Sequence, residues 1–151
     1  MSQSLVQIYL HIVFSTKHRR TFLKDKAFRE RTHAYLAGIC KNMACSTMLV
    51  GGVEDHVHLL CRFGKTIAVA DFIRDLKRDS SKWVKEERAE LSKFHWQSGY
   101  GAFSISPAHV EALKHYLATQ EEHHRQETFQ EEFRRLCKKY GLKVDERYVW
   151  D

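Results

Sequence analysis

Two histidines stand two residues apart in the run Glu54-Asp55-His56-Val57-His58-Leu59-Leu60-Cys61. The run reads as a strand. Side chains alternate across a strand, so both imidazoles leave the same face, about 7 Å apart at their backbones. Val57 and Leu59 then point to the opposite face, where a core lies. Two neutral imidazoles converging from one rigid strand can hold a divalent metal. Such a pair is most often two polar side chains on an exposed face, so the chemistry turns on a third ligand and on something for the metal to act upon.

A late segment, His109 to Gln120, supplies both. At helical spacing Val110, Leu113 and Leu117 make a packing stripe. Tyr116 and Gln120 lie four apart, one above the other at about 6 Å, on the border of that stripe. Alone they read as a packed ring and a solvated amide. Beside the histidine pair they read differently, because an amide oxygen is a legitimate metal ligand. A metal held by His56, His58 and Gln120 leaves positions open for a phosphate oxygen, with the Tyr116 phenol next to the phosphorus. A phenol can attack a phosphodiester to give a covalent phosphotyrosine, with the metal as Lewis acid. The leaving sugar hydroxyl remains as a free 3′ end. The stored bond energy lets the reversed step join a different strand.

The elements that must position these groups follow from the pattern. Leu5 to Ser15, rich in β-branched and aromatic residues, predicts a first, largely buried strand. The basic cluster Lys17-His18-Arg19-Arg20 follows it, either as a solvated loop or as a phosphate-contacting one. Asp25 to Met43 has helical spacing, with Ala27, Phe28, Tyr35, Leu36 and Ile39 on one side. Ser46 to Val50 predicts a second strand, Gly51-Gly52 a tight turn, and Glu54 to Phe63 the histidine strand, joined to the second as a hairpin. Thr66 to Glu87 is an amphipathic helix whose apolar residues, Val69 to Val84, fall within a stripe of about 120°. Its other side carries Arg74, Lys77, Arg78, Ser81 and Lys85, a solvated face or a surface for a nucleic-acid backbone. Phe94 to Ser104 holds Trp96, Tyr100 and Phe103 around Gly99 and Gly101 and reads as a short strand or extended loop. Its aromatics are either buried or free to stack on unpaired bases. Gly99, Gly101, Ser104 and Ser106 would let the tyrosine helix hinge on the sheet. Ser106-Pro107 is a helix start, a capping serine before proline, and the helix runs to about His124. Phe129 to Tyr140 is a further helical segment. The tail Tyr148-Val149-Trp150 is apolar enough to pack on its own or a partner chain. The order suggests an α+β fold with a ferredoxin-like (RRM-like) antiparallel sheet and helices packed mainly on one face, one domain over 1–151.

Composition narrows the class of protein. The 151 residues suffice for one domain with a real core. Lys and Arg outnumber Asp and Glu by 25 to 19, a net charge of +6 that favours an anionic partner such as nucleic acid. The four cysteines, Cys40, Cys45, Cys61 and Cys137, show no C-x-x-C spacing. A zinc ribbon is therefore not expected, and reduced cysteines in a cytosolic protein are. The first apolar run has no basic segment before it and is too short to span a membrane.

At this point the chain resembles the insertion-sequence-200-like single-tyrosine transposases of the HUH endonuclease superfamily. The resemblance rests on H-I-V-F-S-T-K-H-R-R (11 to 20), D-H-V-H-L-L (55 to 60), F-I-R-D-L-K (72 to 77), Y-L-A-T-Q (116 to 120) and the run E-E-H-H-R-Q-E-T-F-Q-E-E-F (121 to 133). It implies that His56 and His58 bind Mg²⁺ or Mn²⁺, that Gln120 completes the metal site, and that Tyr116 is the nucleophile. It implies cutting and rejoining of single-stranded DNA at the ends of a mobile element, through a 5′-phosphotyrosine, beside a subterminal DNA hairpin. It implies a homodimer in which the tyrosine helix of one protomer can serve the histidine pair of the other, in the cytoplasm of a bacterium or archaeon and associated with the nucleoid. No motif fixes the DNA contacts; charge alone suggests Lys17, Arg19, Arg20, Arg74 and Arg78. Three other readings stay open. One is a domesticated relative acting on host repeats. Another is a non-catalytic single-strand-binding module, and the last is a metallohydrolase using activated water.

Overall fold

The computed structural model describes residues 2–124 and 126–151. Four strands form one antiparallel sheet in the order β2-β3-β1-β4. They are β1 (Tyr9–Ser15), β2 (Ser46–Gly52), β3 (His56–Arg62) and β4 (Gly101–Ile105). Helices α1 (Lys26–Asn42) and α2 (Val69–Glu87) alternate with them, and α3 (Val110–Ala118), α4 (Gln120–His123) and α5 (Phe129–Lys139) follow. The histidine strand lies in the interior of the sheet, between β2 and β1. The antiparallel α+β sheet is as the sequence predicts.

Strand parity sorts the side chains. Leu10, Ile12 and Phe14 of β1 and Val57, Leu59 and Cys61 of β3 join the core under α1 and α2, with Leu36, Phe72, Ile73 and Leu76 from those helices. Helix α1 starts where the Asp25 carboxylate accepts from the Ala27 and Phe28 amides, which satisfies donors that the helix cannot. The opposite parity carries His11, His56 and His58. The sequence reading places the helices mainly on one face, yet this second face is covered too. Helix α5 packs Phe129, Phe133 and Leu136 on Val13 and Phe103, and α3 packs Val110 and Leu117 on Leu60. The histidine face is therefore buried, and His11, His56 and His58 have no exposed surface.

Several boundaries shift from the sequence reading. Strand β1 begins at Tyr9, because β3 ends at its partner Arg62; Leu5, Val6 and Ile8 are exposed. Gly51 and Gly52 belong to β2 instead of forming the turn. Helix α2 begins at Val69, three residues later than Thr66. The late helix is broken at Thr119, so Tyr116 lies in α3 and Gln120 in α4. Ser106 does not cap backbone amides; its hydroxyl pairs with His109 Nδ1 at 2.6 Å. Gly101 and Ser104 sit inside β4, paired with Val13 and Leu10, so they extend the sheet and do not form a hinge. Lys77 leaves the solvent face and donates to the carbonyls of Gln97 and Gly99 at 2.8 and 2.7 Å. Burial lowers its pKa to about 8. Phe94, Trp96 and Phe103 are buried, and Trp96 donates to the Ser80 hydroxyl at 2.9 Å; only Tyr100 of that segment's aromatics is exposed. The apolar tail packs on its own chain through Val149 and Trp150. The four cysteines are free and buried.

The tyrosine helix lies directly on the sheet at Gly51. A Cβ there would overlap the Leu117 carbonyl oxygen, so α3 docks backbone to backbone. Gly51→Ala is expected to cost about 1–3 kcal/mol by forcing the helix off the sheet. Urea denaturation checks this, and an unchanged midpoint would mean that the helix has room to move.

Candidate metal and nucleophile site

The second face of the sheet holds a cluster built from four elements. His56 and His58 come from β3 and His11 from β1. Gln120 comes from α4, with His124 just after it, and Glu132 comes from α5. Glu132 is fully buried. Its Oε1 lies 2.8 Å from His58 Nε2, 3.3 Å from His56 Nε2 and 3.1 Å from His124 Nε2. Its Oε2 accepts from the Gln120 amide at 3.2 Å and from the Tyr116 hydroxyl. One carboxylate therefore gathers three imidazoles, the amide and the phenol within a single chain.

The outer nitrogens fix the rings. His124 Nδ1 lies 2.7 Å from the Glu127 carbonyl, which can only accept. That nitrogen therefore carries a proton, and Nε2 faces the cluster. His124 Nε2 is buried without a hydrogen-bond partner, although it lies 3.1 Å from Glu132 Oε1. His56 Nδ1 lies 2.7 Å from Asp55 Oδ1, the carboxylate-behind-imidazole arrangement that orients metal-binding histidines. His58 Nδ1 lies 2.8 Å from His11 Nε2, with the two rings stacked.

Electrostatics follow from this crowding. Burial would raise the Glu132 carboxyl, but the close approach of the His124, His56 and His58 imidazoles outweighs it and holds the group well below the carboxylate range. Burial likewise works to lower His56, and the Asp55 and Glu132 carboxylates overcome it, raising the imidazole to about 9. His58 is lowered, chiefly by burial. The Tyr116 hydroxyl is pushed up by burial and by the Glu132 charge, against the Arg135 guanidinium that donates to it at 2.6 Å.

His56, His58, His124 and Glu132 could together hold a metal ion. Ligands bonded to one ion at about 2.0–2.2 Å stand about 3–3.5 Å apart in a tetrahedron. The three nitrogens stand 2.8–3.3 Å from the carboxylate oxygen, and the four ligand atoms lie within 4.8 Å of one another, close enough for a small inward shift to seat an ion. Three imidazole nitrogens and a carboxylate suit a divalent transition metal, and the unpartnered His124 Nε2 is the kind of buried atom that a cation would satisfy.

The predicted residues come together in part. His56, His58, Gln120 and Tyr116 meet in one place. Gln120 Oε1 lies 3.3 Å from His56 Nε2, and the Tyr116 ring centroid lies 6.2 Å from that of His58. The basic candidates scatter. Arg74 is paired with Asp71 and Asp75, and Arg78 with Asp75 and Asp79. Arg19 turns inward to the Trp150 carbonyl. Lys17 and Arg20 line a small cavity with Lys93 and His95. Sequence reasoning missed His11, Asp55, His124 and Glu132. Glu132 had a signal: at helical spacing it falls between Phe129 and Phe133 on the apolar side of α5, where an unpartnered carboxylate is costly.

A family model described as "Transposase IS200 like" matches residues 4–120. The chain belongs to the IS200-like transposases. No curated protein matches it. Two solved structures share the fold of this transposase. One is a candidate transposase from Deinococcus radiodurans R1, with a TM-score of 0.64 and 20% identity over 80% of this chain and 98% of the other. The second is a REP-associated tyrosine transposase bound to a REP hairpin, with a TM-score of 0.55 and 12% identity over 79% of this chain and 72% of the other. No helix among the described residues is long and apolar enough to cross a membrane.

A cation at a hundred times its Kd stabilises the fold that binds it by about 2.7 kcal/mol. Millimolar Mn²⁺ is therefore expected to raise the thermal midpoint of the transposase, chelator to reverse the rise, and His124→Ala to reduce it. A midpoint indifferent to the ion would remove the metal site.

Proposed function

We propose that this transposase cleaves and rejoins single-stranded DNA at the ends of an insertion element, with Tyr116 as the nucleophile and a 5′-phosphotyrosine as the intermediate. The observation that carries the reading is the shared carboxylate. Glu132 contacts the Tyr116 phenol and the three imidazoles at once, so nucleophile and metal ligands meet at one point. His56, His58 and Gln120 would hold Mg²⁺ or Mn²⁺, with His124 and Glu132 within reach of the same ion. When bound, the ion supplies Lewis acidity to a phosphate oxygen and helps to orient the phosphate.

The chain's own residues do the rest. Tyr116 Oη attacks the phosphorus, the P–O3′ bond breaks, and the phosphorus stays on O5′. The phenolic proton is lost to water as the P–O bond forms, since Glu132 is held too far below the carboxylate range to keep it, and the departing 3′ oxygen takes a proton from water. Arg135 donates to Tyr116 Oη and stabilises negative charge there. Rejoining is the same sequence reversed, with a 3′ hydroxyl as attacker. That one chain brings these groups together supports cleavage within a single copy, and a homodimer with tyrosine exchange would serve joining.

For the DNA, a hairpin partner in the manner of the hairpin-bound neighbour fits the basic side of the molecule. Lys17, Arg20 and Lys93 line one cavity, and Lys82 and Lys85 line the next, with His95 common to both. This track is a better phosphate surface than Arg19 and Arg74, whose groups are already engaged; Arg78 lines its second cavity but is held by Asp75 and Asp79.

The substrate for the test is a labelled, hairpin-bearing single strand from the DNA flanking the coding sequence. With Mn²⁺ the native protein is expected to form a denaturant-resistant protein–DNA adduct. Tyr116→Phe is expected to bind the hairpin with unchanged affinity and form none. Cleavage by that variant would assign the reaction to activated water instead. Lys85→Gln and Lys93→Gln are each expected to weaken binding and to reduce the slope of log K against log salt by about 1. An unchanged slope would move the DNA to another face.

A further inference from the structure

A cavity of about 310 Å³ between α3, α5 and the end of β4 is lined by Tyr116, His109 and Arg135 and by none of His56, His58, His124, Gln120 and Glu132. Ile105, Leu113 and Tyr140 form its apolar wall, and Arg135 and Lys139 stand one helical turn apart on α5 at its edge. Lys139 pairs with no carboxylate among the described residues, whereas Arg135 is fixed by two bonds to Glu127 at 2.9 and 3.1 Å. The size is that of a small-ligand site. An apolar, aromatic-walled slot with cationic groups at its rim matches a base and sugar joined to a phosphate.

In-line displacement decides which nucleoside fits. The attacking phenol and the departing 3′ oxygen must lie on opposite sides of the phosphorus. The nucleoside that carries the 3′ oxygen therefore lies across from Tyr116 and cannot enter a cavity on the tyrosine's own side. The nucleoside joined through O5′ is perpendicular to that line and can bend back toward α5. It is also the one that stays on the tyrosine after cleavage.

We propose that this cavity is the subsite for the nucleoside immediately 3′ of the scissile phosphate, with its 5′-phosphate at the rim beside Lys139. The proposal rests on Tyr116 being the nucleophile, and it can be tested without any reaction. A deoxynucleoside 5′-monophosphate reproduces the proposed occupant, and the 3′-monophosphate reproduces the excluded one. Ligand-observed NMR on the full chain is expected to show the 5′-monophosphates binding at least about tenfold more tightly than the 3′ isomers. Ala112→Phe fills the cavity from an exposed position and is expected to abolish that binding with the fold intact by circular dichroism. Equal binding of the two isomers would overturn the proposal, as would 5′-monophosphate binding that survives Ala112→Phe. The adduct assay separates the two readings. Selective 5′-monophosphate binding without any DNA adduct would reject the tyrosine chemistry and with it the cavity's place on the cleaved strand, leaving only a nucleotide-binding cavity. An adduct without selective binding would keep the tyrosine chemistry and reject the subsite.

Discussion

A single buried carboxylate sets the terms for the rest of this molecule. Glu132 has no exposed surface, and an isolated charge in such a place is prohibitively costly. It is tolerated because imidazoles from two segments, an amide and a phenol converge on it. Each of those groups is in turn buried and needs a partner. The cluster therefore binds the sheet, the α3–α4 segment and α5 into one interdependent set. Removing the carboxylate strands three nitrogens; removing an imidazole leaves the carboxylate undercompensated.

The same arrangement explains why a sheet that is often open on one face is closed here. Polar side chains on the second face of β1 and β3 would be solvated in a two-layer fold. Here α5 brings Phe129 and Phe133 over them, with the Phe129 ring 4.8 Å from His56. The Thr128–Glu131 capping box starts α5 at a defined residue. That start places Glu132 one turn in and Arg135 a turn beyond. Local helix chemistry thus fixes the position of a group that belongs to a long-range site.

Much of this was legible in the residues. Strand parity put His56 and His58 on one face, and that followed from alternation alone. The Tyr116–Gln120 spacing placed both groups near the pair, although Thr119 breaks the helix between them and the four-residue rule applied only loosely. The family motifs pointed to the same residues. The burial of the histidine face was not legible, because an H-x-H strand has the same pattern whether water or a helix covers it. His124 and Glu132 were hidden because they come from a segment whose charges look like an ordinary solvated surface. Charge on α2 misled in the other direction: Arg74 and Arg78 look free in the sequence, yet aspartates three residues before and one residue after each arginine neutralise them. Lys77, which looks like a third surface cation, is a strut under the 97–99 loop.

The interruption at Thr119 has a mechanical meaning. A continuous helix would carry its amide along with any displacement of its phenol. Here the two sit on separate short rods joined at one residue, with Gln120 seated deep against the sheet and Tyr116 reaching out to Glu132 and Arg135. On the proposed chemistry, this joint would leave Gln120 at the floor of the ion's pocket while the Tyr116 oxygen takes up a covalently attached strand.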